Sequence, residues 1–319
     1  MKIEIIYIPC FRGDFRLTRI CVASIRYWYP KITIVLIKDL MNGNFDTSEI
    51  EKHFNVSIYP QKARSYGWGF SKFEVFIEQK RQRFLMLDSD IVLVGPILDI
   101  LENQNEDWVV FDEPFIKEDL YRWYFDPEKI RKIDPEFNFP NFTFNTGQLV
   151  GFTGILRKED FNSFIEWSEP RVLKYTEFTL TGEQPLLNYI LMKKLDKKEI
   201  TLKRLDFMRE GLNADTHQVS IDRIKKKEGY PFIIHWHDGK QGMMNPKIKK
   251  MPRNDILLYY ENIYYREAGV SKLSQYLRIW YEYFFDSIRT RLRKSLRNNL
   301  KIKNLIKSLV IKYGKNLRI

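Results

Sequence analysis

Short apolar runs alternate with longer segments of helical periodicity over the first hundred residues. Lys2 to Ile8 reads as a buried strand that closes at Pro9, and Arg16 to Tyr29 sets apolar side chains at the intervals of one helical face. Ile32 to Ile37 predicts a second strand, Thr47 to Phe54 a short helix and Val56 to Tyr59 a third strand. Beyond the glycine-broken aromatic stretch Tyr66-Gly67-Trp68-Gly69, a helix is expected from Ser71 to about Lys80. Phe84 to Leu87 follows as another strand. Strands separated by helices imply an α/β fold with a mainly parallel sheet, and such sheets bind ligands at the carboxyl ends of their strands.

The pattern then loosens. Trp108 to Phe111 is strand-like, Glu113 to Pro140 is rich in proline, aspartate and aromatics, and Phe144 to Phe152 is apolar but broken by Gly147 and Gly151. Helices are expected over Lys158 to Ser168 and Gln184 to Lys194, with a late strand over Tyr230 to Trp236. One sharp change of composition falls near Ser271. The chain is read as a body, 1–250, a connecting helix, 251–270, and, past that change, a tail, 271–319.

At 44% hydrophobic residues the chain has material for a core, and disorder is excluded. No apolar run reaches the ~18–20 residues of a membrane span, and Glu4 sits where a signal peptide would be greasy, so neither is expected. Two cysteines, Cys10 and Cys21, are too few for a disulfide framework, which fits a reducing cytoplasm. The net charge of +12 is almost wholly in the tail: residues 272–319 hold thirteen Lys and Arg against Glu282 and Asp286, leaving residues 1–271 at +1. Leu273, Leu277, Trp280, Tyr281, Phe284, Ile288, Leu292, Leu296 and Leu300 recur there at helical spacing among the cations. A basic amphipathic helix with aromatics suits the anionic cytoplasmic face of a membrane. Packing on the body and nucleic-acid binding are the alternatives, and a neutral body argues against nucleic acid.

Asp88-Ser89-Asp90 is the strongest chemical feature. Phe84 to Leu87 delivers two carboxylates at the end of a buried strand, with side chains two apart on one side. Two adjoining anions there call for a cation, and carboxylate oxygens suit Mg²⁺ or Mn²⁺. A second strand end, Phe232-Ile233-Ile234, leads into His235-Trp236-His237-Asp238-Gly239-Lys240. Imidazole would favour Mn²⁺, and Lys240 would reach a phosphate.

These residues resemble a family. Leu85 to Ile97 looks like the metal-binding strand and turn of the GT-A glycosyltransferases, most closely the glycogenin-like retaining group, family eight. Phe144-Asn145-Thr146-Gly147-Gln148-Leu149-Val150, Glu183-Gln184-Pro185-Leu186-Leu187-Asn188 and His235 to Lys240 are similar to three later motifs of that family, in its order, over about Met1 to Asn245. The resemblance implies a nucleotide-sugar donor, a UDP-sugar, held through its diphosphate by a metal on Asp88, Asp90 and His235, or on His237 in place of His235. It implies donor contacts at Lys72, Ser89, Gly239 and Lys240, and Asn145, Glu183 and Gln184 beside the sugar. Lys72 also reads as a solvated helix lysine, and Asn145 as a turn residue beside Gly147.

The chain departs from the family at Glu183, where an aspartate is usual, and at Gly239, one position late from His235. Ile8 to Arg12 also lacks the acidic nucleobase pattern. The expectation is a retaining sugar transferase acting on a glycan or lipid-linked acceptor. Tyr121, Trp123, Tyr124 and Phe125 would form either an acceptor wall or a cover for the sheet. An aspartyl phosphatase is the competing enzyme class, but it carries its Asp-x-Asp on the first strand.

Overall fold

The computed structural model describes residues 1–38, 45–60, 70–167, 172–174, 182–237, 248–281, 284 and 288. The chain opens with β1 (Ile5–Cys10), α1 (Phe15–Trp28), β2 (Thr33–Lys38), α2 (Ser48–Phe54), β3 (Val56–Ile58), α3 (Lys72–Phe76) and β4 (Arg83–Leu87). Then come β5 (Ile91–Leu93), α4 (Leu98–Leu101), β6 (Trp108–Phe111), α5 (Lys117–Asp119), α6 (Pro127–Arg131), β7 (Gln148–Phe152) and α7 (Lys158–Phe161). It continues with β8 (Ile165–Glu166), β9 (Val172–Leu173), α8 (Gln184–Asp196), β10 (Leu202–Leu205), β11 (Met208–Glu210), α9 (Ile221–Lys225), β12 (Ile233–His235) and α10 (Asn254–Glu267).

Seven strands form the main sheet in the order β10-β6-β7-β4-β1-β2-β3. Only β7 runs against its neighbours, pairing antiparallel with β4 and β6, so the sheet is mainly parallel as expected. Successive side chains of the central strands enter opposite cores. Ile6, Ile8, Leu85 and Leu87 join α1 and α10 on one face; Ile5, Tyr7, Phe84 and Met86 join α3 and α8 on the other. Both faces are therefore covered by helices, which explains why these strands read as unbroken apolar runs.

β1 continues through Pro9 to Cys10, past the expected end. Its register with β4 stops at Tyr7, so Pro9 lies where β1 pairs with β2 alone and no donor toward β4 is missing. The helix expected over Lys158 to Ser168 ends at Phe161, because the chain turns to put Phe164 and Ile165 into the core and to pair β8 with β9. The helix from Ser71 is likewise shorter than expected, ending at Phe76. Tyr66 to Gly69 lies outside the described residues.

A second, three-stranded sheet, β11-β12-β5, sits beside the carboxyl end of β4. It registers His235 against Ile91 on one side and Glu210 on the other. α10 covers α1 through a buried ion pair in which Arg16 Nε donates to Glu261 Oε1 at 2.6 Å.

Candidate metal and donor site

The two aspartates are not continuations of β4. That strand ends at Leu87, and Asp88 to Asp90 form a turn into β5, closed by the Ile91 N–H donating to the Asp88 carbonyl at 3.2 Å. The turn, rather than the alternation of a strand, brings both carboxylates to one place. The Asp88 N–H donates to the Gly147 carbonyl at 2.6 Å, which fixes the turn to the segment before β7.

His235, the last residue of β12, completes the group. Its Nε2 lies 3.3 Å from Asp90 Oδ1, both side chains are buried, and ligand atoms of Asp88, Asp90 and His235 all fall within 4.8 Å of one another. Among the described residues, buried His235 Nδ1 has no hydrogen-bond partner. An unsatisfied buried nitrogen is costly, and a divalent ion that took that nitrogen as a ligand would offset the cost. Oxygen and nitrogen donors together fit Mn²⁺ well and Mg²⁺ less so. His237 stands aside, half-buried, with Nε2 3.8 Å from Glu210 Oε1 and its ring centre 5.0 Å from that of His235.

Gly147 shapes the wall of this group. A Cβ there would sit 2.6 Å from His235 Cε1 and 2.8 Å from Asp88 Oδ2, so any larger residue would fill the space where the three ligands converge. Asn145 Oδ1 accepts from the Gly147 N–H at 2.7 Å, the local bond of a turn residue, and holds the backbone in that approach.

Lys72 is not a solvated helix lysine. It is 1% exposed at the start of α3, with Nζ 2.9 Å from Asp88 Oδ1, 2.6 Å from Glu183 Oε1, and donating to the Thr146 carbonyl at 3.1 Å. Burial alone would depress the ammonium, but Asp88 and Glu183 outweigh it and hold its pKa above the ordinary lysine value. Glu183 also accepts from Thr146 Oγ1 at 3.2 Å. Gln184 Oε1 accepts from the Thr146 N–H at 3.1 Å while its Nε2 donates to the Trp123 carbonyl at 3.5 Å. Ser89 is buried and turns inward, its Oγ donating to Asp14 Oδ2 at 3.4 Å. Gly239 and Lys240 lie outside the described residues.

Sequence reasoning missed three contributors. Asn188, one turn into α8, clasps both backbone groups of Phe144: Oδ1 accepts from its N–H at 3.0 Å and Nδ2 donates to its carbonyl at 2.9 Å. Thr146 joins Lys72, Glu183 and Gln184. Glu113, just past β6, accepts from Tyr124 Oη and from the Asn145 backbone. Burial pushes its carboxyl above the usual range, and Glu210 and Asp119 add repulsion that the two hydrogen bonds only partly offset. Its position after a parallel strand was the available signal. The four aromatics expected to form an acceptor wall or a cover divide: Tyr124 and Phe125 are buried, Tyr121 and Trp123 exposed.

No protein-family model matches the sequence, and no curated protein matches it. Solved structures do. The apo structure of WbbM, a bifunctional glycosyltransferase, superposes with a TM-score of 0.51 at 12% identity, over 83% of this chain and 52% of that one. The glycosyltransferase GlyE of Streptococcus pneumoniae TIGR4 gives 0.51 at 14% identity, over 84% of this chain and 63% of that one. The fold is thus that of GT-A-like glycosyltransferases, and this chain spans between half and two thirds of the length of these two structures.

Proposed function

We propose that the chain is a metal-dependent glycosyltransferase that takes a nucleotide diphosphate sugar and passes the sugar to a glycan or lipid-linked acceptor, with retention at the anomeric carbon. One observation carries the reading: Asp88, Asp90 and His235 converge, with their ligand atoms within 4.8 Å, at the carboxyl edge of a sheet of glycosyltransferase type. A phosphatase with an aspartyl nucleophile is disfavoured because β1, β2 and β3 all precede the motif.

A divalent ion bound there would hold the diphosphate and neutralise the charge that forms on the leaving oxygen. The chain's own residues do the positioning. Lys72 keeps Asp88 and Glu183 in fixed rotamers and supplies a buried positive charge behind the leaving group. Gln184 and Asn145 present polar groups from the rim that Gly147 opens, where the transferred sugar would lie. Glu113, held by Tyr124 and by the Asn145 backbone, offers a carboxyl on the same rim to an acceptor hydroxyl. Lys240, carried by the resemblance, would reach the donor phosphates, and UDP is the nucleotide that resemblance favours.

A thermal-shift panel of nucleotide sugars with and without Mn²⁺ tests the reading. A stabilisation that needs both a UDP-sugar and the metal is the expected result; none with any nucleotide sugar would overturn it.

A further inference from the structure

Residues 272–281 form a helix with two unlike sides. Gln275 and Ile279 turn inward: Gln275 Nε2 donates to Asn262 Oδ1 on α10 at 3.2 Å, and Ile279 packs on the core. Leu273, Tyr276, Leu277, Trp280 and Tyr281 stand outward, between 54% and 70% exposed, and Phe284 prolongs the face, its ring stacked on Trp280 at 5.1 Å. A continuous apolar stripe on a surface helix marks an interaction site.

The helix is pinned at a particular edge of the fold. Arg278 pairs with Glu49 in the first turn of α2, and Glu49 also accepts from Tyr264 Oη of α10 at 2.9 Å. The start of α2 lies by the carboxyl end of β2, because Lys38 Nζ, at that end, donates to Thr47 Oγ1 at 3.3 Å. At the start of α1, Arg16 and Arg19 meet Glu261 and Tyr265 in the second half of α10. β1, β2 and β4 are parallel, so the edge that receives these contacts is the edge where β4 delivers Asp88.

We propose that this helix docks on an anionic lipid bilayer and holds the carboxyl edge of the sheet toward it, so that the acceptor is membrane-borne. The last clause rests on the transfer reading; the docking does not. Charge complementarity selects the occupant. Thirteen cations against two anions in 272–319 would repel a second copy of the same segment and are drawn to anionic headgroups, while Trp and Tyr suit the interface between headgroup and acyl chain.

Co-sedimentation of the full chain with phosphatidylglycerol–phosphatidylcholine vesicles and with phosphatidylcholine vesicles tests the docking. Binding that requires phosphatidylglycerol, and that falls roughly tenfold or more in Leu277→Ser/Trp280→Ser, is expected. Equal binding to both vesicles, or none to either, overturns the proposal, as does a dimer that the same double variant dissolves. Orientation is read from nitroxide labels at Asp46→Cys, on the carboxyl edge, and at Lys31→Cys, on the opposite edge. The native Cys10 and Cys21 are buried, burial pushing the Cys10 thiol to about 12, and stay unlabelled. A bilayer-shielded label at 46 and a water-exposed one at 31 are expected; the reverse, or equal exposure, overturns the orientation. UDP-sugar binding on the same sample is scored separately: loss of donor binding with vesicle docking intact counts against the transfer reading alone.

Discussion

The Lys72 ammonium lies 2.9 Å from the Asp88 carboxylate, and the lysine is the more deeply buried of the two. One acidic member of the candidate metal site therefore already carries a positive partner supplied by the fold. A metal ion has to share Asp88 with that lysine, whereas Asp90 faces His235.

Lys72→Met should destabilise the chain by about 3–5 kcal/mol, because it strands the carboxylates of Asp88 and Glu183 around a missing cation. Added Mn²⁺ should raise the melting temperature of this variant more than that of the wild type, since the ion then replaces the lost charge. Equal shifts in the two proteins would show that Lys72 and the metal do not compete for Asp88.

Asp90→Asn keeps size and burial but removes the charge. Calorimetric titration with Mn²⁺ should give no binding where the wild type binds, and nucleotide-sugar turnover should disappear while the circular dichroism spectrum is kept. Turnover at the wild-type rate would place the metal, or the chemistry, elsewhere.

Gly147→Ala puts a methyl 2.6 Å from His235 Cε1 and 2.8 Å from Asp88 Oδ2. The expected cost is ~1–3 kcal/mol of overpacking, together with loss of Mn²⁺ binding as His235 and Asp88 are pushed apart. Melting curves with and without the metal separate the two effects: a wild-type metal shift in a destabilised variant would leave Gly147 a purely structural role.

Glu113 has a pKa raised above the ordinary glutamate value, chiefly by burial. The folded state then binds its proton more tightly than the unfolded chain, so the stability it contributes is complete in acid and is lost as pH rises through the folded pKa. Glu113→Gln cannot ionise. Its melting temperature relative to wild type should climb as pH rises above the ordinary glutamate range, about pH 4. A constant difference over that rise would count against a burial-strained carboxyl.

Much of the first half of the fold was legible because buried parallel strands leave apolar runs, as in Phe84 to Leu87, and because the periodicity of α1 is unbroken. Asp88, Asp90 and His235 were legible as candidates for the same reason: each follows such a run. Their convergence was not. It depends on a sheet of three-residue strands, β11, β12 and β5, whose pairing is non-local, and on a turn where the sequence suggested a strand. Lys72 was misread as a possible surface lysine because a charge at a helix start looks the same whether its partners are water or two distant carboxylates. Glu113 and Asn188 were passed over because polar residues in an aromatic loop and within a helix carry no local sign of the backbone groups they satisfy.

The Asn188 clasp ties two distant pieces of the chain together. By holding both the N–H and the carbonyl of Phe144, it makes the strand-leading segment with Asn145 and Gly147 a rider on α8. Those two pieces are some forty residues apart in sequence, yet two hydrogen bonds couple them. A chimera that grafts either piece without the other would set an α8 against a segment not shaped to it, so the two have to be transplanted as the pair.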